Sequence, residues 1–447
     1  TNYTKLPDWK PTDPDGDLRE NSLKDRGLSA FLNLKYKKIT FNSIFITSKY
    51  NTHTPTHPLV PEKLTLKTQT KRGFIDLGYR HSLSDEWEMS FNLTDTYFMV
   101  TTLVDRFSND FVAEWTNFIK PSDKLNIVTG ALLNHFQGEE YFLGAEGDWR
   151  LLSIPREKKL WWGFYGQLDY QIIEDVKGIA GFQANKIENV SIDFVPRLGL
   201  IWKPTAKIGI KLLYGQAFRG PSLLENNIND PLIIGNPDLK PEKVDTFDLE
   251  LIYRSEKIQS SLAFFYSKQK SLIARDLVSL PPFSHVNEGT LKIKGAEFES
   301  KYFLSKDWFL SGALAYQTNK LNNTYTDSTP IPNLSAKMGV SYQSDKGITI
   351  GLFDIYNGKP EDVSVINPNR RLTNPVPDAY HLLNLNIDVD LYKLLQKSRN
   401  VSTFSLFYRI ENLLDEDIYI PEWVARATNS IPGRRGRSVY GGVKATF

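Results

Sequence analysis

The sequence predicts an all-β protein, an antiparallel transmembrane β-barrel. Three observations carry that prediction. Runs of about 10–15 residues alternate apolar and polar side chains with period two, and each ends at a turn signal. The connections between runs alternate between short and long. The chain is also aromatic (13%) yet polar, with a mean hydropathy of −0.36 and 24% charged residues. That mixture suits strands showing one face to lipid and one to water. Aromatic content alone fits a large soluble β protein equally well. The loop ordering decides, because a soluble sandwich or propeller has no reason to sort its connections by parity.

The rest of the composition excludes more than it asserts. The 447 residues carry a net charge of +2, which gives no argument for nucleic acid or for an acidic partner. There is no cysteine, so thiolate chemistry, disulfides and zinc-thiolate sites are out. No apolar run is long enough for a transmembrane helix, which leaves barrel strands open because their signal is weaker. The first residue is Thr1 and no signal peptide is visible, so the start reads as processed or cut.

Strands are expected near residues 27–36, 39–50, 71–83, 87–100, 109–120, 124–138, 159–173, 177–187, 191–204 and 207–219. A second set falls near 244–255, 258–274, 289–304, 307–320, 333–344, 347–357, 379–393, 402–413 and 436–447. That makes about nineteen, at the spacing of an up-and-down barrel. The clearest is "YHLLNLNIDVDLY". Leu383, Leu385, Ile387, Val389 and Leu391 should face lipid, with Asp388 and Asp390 in the lumen. In "TFDLELIY", Phe247, Leu249, Leu251 and Tyr253 oppose Asp248 and Glu250. No stretch shows a helical period with caps. Short connections such as "YKK", "KPTAK" and "SDKG" alternate with long ones at 51–70, 139–158, 220–243, 275–288, 321–332, 358–378 and 414–435. One tight end and one long-looped end match periplasmic turns and extracellular loops of a Gram-negative outer-membrane barrel.

One long connection is framed by two breaks, "YGQAFRGPS" at its entry and "GNPDLKPEK" at its exit. Pro221 cannot donate to a ladder and stops the strand. Pro237 and Pro241 hold the returning chain extended. Phe218 falls where a strand leaves lipid and suits an aromatic girdle. Arg219 suits headgroups or a loop carboxylate. Lys240 and Glu242 are placed to pair locally. The plain reading is that these residues shape a loop.

"YGQAFRGPS…GNPDLKPEKVDTFDLELIY" resembles the late-barrel signature of TonB-dependent outer-membrane receptors, and "FYRIENLLDEDIY" followed by "GRSVYGGVKATF" resembles their C-terminus. The matching positions are Phe218, Arg219, Pro221, Asn236, Pro237, Leu239, Pro241, Glu242 and Phe447. The resemblance covers the chain from about residue 27 and implies a barrel of about 22 strands. It implies Phe447 as a signal for the barrel-insertion machinery, and TonB coupling through an N-terminal plug. Neither plug nor TonB box is in this sequence. Strand parity places residues 1–26 on an extracellular loop, so the expectation is a receptor domain, residues 1–447, whose plug and first three strands lie outside the sequence.

Four constellations invite binding. Asp13, Asp15, Asp17 and Glu20 surround Gly16; alternating carboxylates can converge on Ca²⁺, although the spacing only partly matches an EF-hand loop and a solvated acidic turn fits too. His53 and His57 share a loop and are candidates for metal or haem iron. Haem-binding relatives carry a histidine between the two motifs, and Leu223 to Ile234 holds none. Arg370 and Arg371, and Tyr419, Trp423, Arg426, Arg434, Arg435 and Arg437, offer cation–π and charge-assisted contacts to an anionic, ring-rich chelate, or to lipopolysaccharide phosphates. No nucleophile elbow, phosphate loop or metalloprotease motif is present, so no enzyme is expected.

The expected function is TonB-coupled import of a scarce metal chelate, a ferric siderophore by default, by a monomer among phospholipid and lipopolysaccharide. Cobalamin or another nutrient is the alternative ligand. The rivals are a passive porin, against which the motif pair argues, and a soluble β scaffold.

Overall fold

In a computed structural model, the described residues are 25–53, 65–102, 104–143, 150–229, 233–276, 282–322, 325–326, 331–360, 374–395, 403–421, 429–433 and 436–446. Alternation becomes strand throughout. The first half runs β1 (Asp25–Tyr36), β2 (Ile39–His53), β3 (Thr65–Ser82), β4 (Trp87–Thr101), β5 (Val104–Ser122), β6 (Leu125–Leu143), β7 (Arg150–Ile173), β8 (Val176–Ile187), β9 (Asp193–Thr205) and β10 (Ile208–Arg219). After helix α1 (Leu223–Asn227) come β11 (Ile233–Ile234), β12 (Glu242–Arg254), β13 (Ile258–Lys270), β14 (Ile273–Arg275), β15 (Phe283–Asn287), β16 (Thr290–Phe303), β17 (Trp308–Leu321), β18 (Tyr325–Thr326), β19 (Leu334–Gln343), β20 (Ile348–Asn357) and β21 (Tyr380–Asp390). The chain closes with α2 (Leu391–Leu395), β22 (Thr403–Glu411), β23 (Tyr419–Pro421), β24 (Ser430–Pro432) and β25 (Ser438–Thr446).

Twenty of these form one antiparallel sheet, in which each long strand pairs with the next long one along the chain. Two-residue β18 is the twentieth; the other nineteen are the strands expected from alternation. Among the described residues, β1 pairs only with β2 and β25 only with β22, so the sheet is open between them.

The two faces follow the pleat. Register aligns Leu212, Leu249 and Phe264 on one face, and Leu213, Asp248 and Phe265 on the other. The first face exposes large apolar side chains around the sheet, among them Leu93, Trp115, Leu133, Phe164, Leu198 and Leu314. Water penalises such a surface and hydrocarbon does not. Aromatics border it: Tyr214, Phe247 and Tyr266 touch in series toward the long-loop end, with ring centroids 4.8 and 6.5 Å apart. Trp308 and Tyr342 pack as tilted rings, centroids 4.9 Å apart, toward the tight-turn end. On β17, Trp308 and Tyr316 are eight residues apart, about 27 Å along a strand before tilt, close to an apolar band of about 25 Å. The opposite face is polar and hydrogen-bonded. Asp76 accepts from Asn42, Asn92 and Thr94, across β2, β3 and β4. The Tyr165 hydroxyl lies 2.8 Å from Glu114 and 2.6 Å from Thr116. Lys211 bridges Glu250 at 2.7 Å beside a cavity of about 780 Å³.

The expected faces of β21 hold: Leu383, Leu385, Ile387 and Val389 align with Leu352, Ile350 and the other outward residues of β20. Leu391 is a correction. It opens α2, because Asp390 turns the chain and accepts from the backbone N–H groups of Tyr392 and Lys393. Loop parity is also less strict than expected. Residues 102–103 alone separate β4 from β5, and most of the expected loop 139–158 is strand, since β6 and β7 continue pairing beyond the apolar band.

Candidate functional site at the barrel mouth

The connection between β10 and β12 is a clasp built on Arg219. Its Nη1 and Nη2 donate to the two Glu225 oxygens at 2.9 and 3.0 Å, and its Nε donates to Glu242 Oε2 at 2.6 Å. A planar guanidinium suits that fork, since two parallel N–H groups match one carboxylate. Strand pairing delivers the geometry, because Arg219 lies directly opposite Glu242 in the β10–β12 ladder. Glu225 arrives through α1, where Ser222 caps the helix and forms a reciprocal capping box with it. Burial pushes the Glu225 carboxyl up, but the hydrogen bonds from Arg219 and Ser222 outweigh it and hold it below the usual carboxylate range.

The exit motif docks this loop on the neighbouring one. Asn236 Nδ2 donates to the His285 carbonyl at 2.9 Å, and Asn236 Oδ1 receives the Asp238 N–H. Asn287 reads the Lys240 backbone twice, accepting from its N–H at 2.7 Å and donating to its carbonyl at 2.8 Å. Glu242 Oε1 receives the Ile273 N–H at 2.7 Å. Pro221, Leu239 and Pro241 are buried. Gly235 has no room for a side chain, because a Cβ would lie 2.5 Å from the Asn226 backbone. The expected Lys240–Glu242 pair is corrected: Arg219 takes the carboxylate, being opposite it in register, while Lys240 contributes backbone.

The clasp reaches over the mouth. The Leu223 side chain packs above Gly138 of β6, and the Asn229 N–H donates to the Ser153 carbonyl of β7 at 2.7 Å. Asn226, with its amide oxygen toward β7, receives Lys159 Nζ at 2.6 Å. Beneath lies a cavity of about 750 Å³, lined by Asp110, Phe136, Trp161, Tyr165, Arg197 and Arg219. Phe218 also corrects an expectation. It is half-buried with its ring edge-on to Trp161, centroids 6.5 Å apart, and lines this cavity instead of joining the girdle.

His285 is buried beside the clasp and its Nδ1 has no hydrogen-bond partner. Burial lowers its pKa, Glu225 opposes the shift and Arg275 adds to it. The C-terminal motif makes a second knot. Asn412, at φ 53°, exchanges hydrogen bonds with Glu416, and Asp415 accepts from the Arg437 N–H at 2.6 Å. Asn374, Asn429, Ser430 and Pro375 tie two further loops together.

Of the residues expected to bind ligand, Tyr419 lies in β23, half-buried beside that knot. Arg370, Arg371, Trp423, Arg426, Arg434, Arg435 and Phe447 lie outside the described residues, as do Asp13, Asp15, Asp17 and His57; His53 ends β2. Among the described residues no group of three metal-ligating side chains converges. Sequence reasoning missed Glu225, whose Ser-x-x-Glu capping box was legible, and Asn287, Trp161 and Arg197, for which nothing local signals a role.

Comparison with known proteins agrees with this geometry. The TonB dependent receptor-like beta-barrel family model matches residues 8–413. No curated protein sequence matches the chain. Among solved structures, the FrpB iron transporter from Neisseria meningitidis (F3-3 variant) superposes with a TM-score of 0.75 at 13% identity, over 100% of this chain and 75% of that one. The siderophore receptor PirA from Pseudomonas aeruginosa gives 0.68 at 12% identity, over 95% and 70%. The copper transporter OprC gives 0.67 at 15%, over 98% and 74%. At such identities these structures speak to fold alone. With its family signature, its ordered nineteen-strand ladder and the Arg219 clasp holding both motif ends, this chain belongs to the TonB-dependent receptors, as their β-barrel, a class of the Gram-negative outer membrane.

Proposed function

We propose that the chain forms the barrel of a TonB-coupled importer of a scarce metal chelate, a ferric siderophore first. The observation that carries this reading is the cavity under the clasp, whose volume of about 750 Å³ falls within the range of small-molecule sites. Its Trp161, Tyr165 and Phe136 offer stacking faces and Arg197 a guanidinium, a pairing that suits an anionic chelate. In this reading the barrel performs no covalent chemistry. The energy comes from TonB through a plug segment, while Tyr419, Trp423, Arg370, Arg371 and Arg426 extend the binding surface outward. Phe447 serves barrel insertion, the receptor acts as a monomer, and Asp13, Asp15 and Asp17 hold a weakly bound Ca²⁺.

The test is uptake of radiolabelled ferric siderophores by iron-limited cells expressing the full receptor, with and without TonB. TonB-dependent accumulation of one chelate is expected, and Trp161→Ala should raise its KM severalfold. Uptake that ignores TonB favours a passive porin. TonB-dependent uptake of cobalamin or copper chelates alone replaces the siderophore.

A further inference from the structure

The cavity under the clasp has a corner whose charge the import reading leaves unused. Asp110 of β5 lies directly opposite Phe136 of β6, and Asn134, two residues back on β6, lies directly opposite Trp161 of β7. By the pleat these four share the lumenal face of Glu114 and Tyr165, and all four line the cavity. Among the described residues Asp110 makes no hydrogen bond or ion pair. Asn134 Oδ1 is buried and has no donor either.

The cations around this corner are engaged elsewhere. Arg106, on the same strand as Asp110, bridges Glu140. Arg72 of β3 lies over the Phe98 ring, 5.3 Å from its centroid. Lys159, directly opposite Phe136, gives its ammonium to Asn226. Arg219 sits between Glu225 and Glu242. Arg197 stands on β9, with β6, β7 and β8 between it and Asp110. Asp95, whose field reaches Asp110, is a like charge and takes the Asn109 amide at 2.9 Å. The corner is therefore a negative pole that this chain does not neutralise.

The residues beside the carboxylate name the group that suits it. Phe136 and Trp161 put two aromatic rings at the same wall. Trp161 is held in place, with its Nε1 donating to the buried Asn185 Oδ1 at 3.2 Å and Phe218 edge-on against it. A carboxylate beside aromatic rings matches a protonated amine, which pairs with the first and makes cation–π contact with the second. The N–H groups of a primary ammonium also supply the donor that Asn134 Oδ1 lacks. Rotation about χ2, a broad torsion, turns that oxygen toward the cavity. We propose that Asp110, with Asn134, Phe136 and Trp161, forms a subsite for a protonated primary amine on the imported chelate. The subsite rests on the import reading and narrows it: the chelate carries an ammonium arm for Asp110 as well as anionic groups for Arg197.

The test uses the whole receptor, purified in a non-ionic detergent, and matched ferric chelates with hydroxamate and with catecholate cores. Within each set the chelates differ in one pendant arm, which ends in a primary ammonium, its uncharged N-acetyl derivative or a trimethylammonium. Equilibrium dialysis with radioiron reads affinity, and heat-modifiable gel mobility verifies a folded barrel. The wild type should prefer the ammonium arm over the N-acetyl arm about tenfold. The trimethylammonium, which keeps the charge and donates nothing, should fall between them. Asp110→Asn should bring the preference to about one, and Phe136→Leu should reduce it about threefold. Equal affinity of the wild type for the ammonium and N-acetyl arms overturns the subsite, and so does an unchanged preference in folded Asp110→Asn. Trimethylammonium held as tightly as the primary ammonium overturns the primary-amine assignment. In each of these cases TonB-dependent uptake of the chelates by cells leaves the import reading standing. If no chelate of either set binds or is taken up, the import reading falls and the subsite with it.

Discussion

Toward the long-loop rim, the two faces of one sheet treat charge in opposite ways. On the inner side Arg219 sits between Glu225 and Glu242, and the remaining Glu242 oxygen takes the Ile273 N–H, so every charge has a fixed counterpart. On the outer side the register lines up uncharged side chains, with Leu212, Leu249 and Phe264 in one row and the rings of Tyr214, Phe247 and Tyr266 in the next. The same ladder positions both sets. The difference teaches that charge at the mouth is fixed by the protein's own loops, whereas the outward rows leave apolar surface that hydrocarbon accepts and water does not.

The comparison can be broken most sharply at the two faces themselves. Leu385→Arg puts a guanidinium on the outward face and should cost about 2–4 kcal/mol near mid-bilayer depth. Asn386→Arg, one residue on, faces the polar side and should cost far less. Urea titration of the barrel folded into vesicles measures both, and equal penalties would mean that the faces are misassigned.

Arg219→Ala comes next. It leaves two carboxylates facing each other and should destabilise the clasp by about 2 kcal/mol, at the lower end for charged hydrogen bonds because Arg219 is half-exposed. Faster hydrogen exchange at Asn226 and Ile228, whose amides bond within and just after α1, reports it. Arg219→Lys cannot make the fork and should recover only part of the protection; full recovery would contradict a bidentate role. Gly235→Ala should cost about 1–3 kcal/mol, since its Cβ meets main chain that has nowhere to move. If it is neutral, the approach of residues 226 and 235 is looser than described. Asn287→Ala removes both contacts to Lys240 and should cost about 1–2 kcal/mol. Hydrogen exchange should then rise at Lys240 while residues 223–227 keep their protection.

The smallest effect is with pH. Glu225 and His285 both have folded pKa values below their ordinary 4.5 and 6.5. A depressed folded value means that the unfolded loop binds protons more readily, so the stabilisation is complete above the ordinary value and lost as pH falls through the depressed one. His285 should weaken the clasp first, as pH drops below about 6.5, and Glu225 further down. His285→Gln should remove the first step alone. Clasp protection that stays flat from pH 7 to 4 would refute both assignments.

The alternation of Leu383 to Asp390 names strand, face and register parity at once, because period-two chemistry has one solution when one side is lipid and the other water. The nineteen strands follow from that rule and from the breaks at Pro221, Pro237 and Pro241. The motif residues were legible too, but their partners were not. Glu225 is six residues from Arg219, and Asn287 is 47 from Lys240. Nothing local says that these meet, since side-chain pairing across loops is set by how neighbouring hairpins dock. The extension of β6 and β7 into an expected loop is of the same kind: pairing continues while each strand satisfies the other's backbone, whatever the apolar pattern does. The rows of the outer face are the clearest case. Leu212, Leu249 and Phe264 are scattered along the chain, each unremarkable alone. Only the hydrogen-bonded register of three strands brings them into line and makes their shared apolar surface a physical fact.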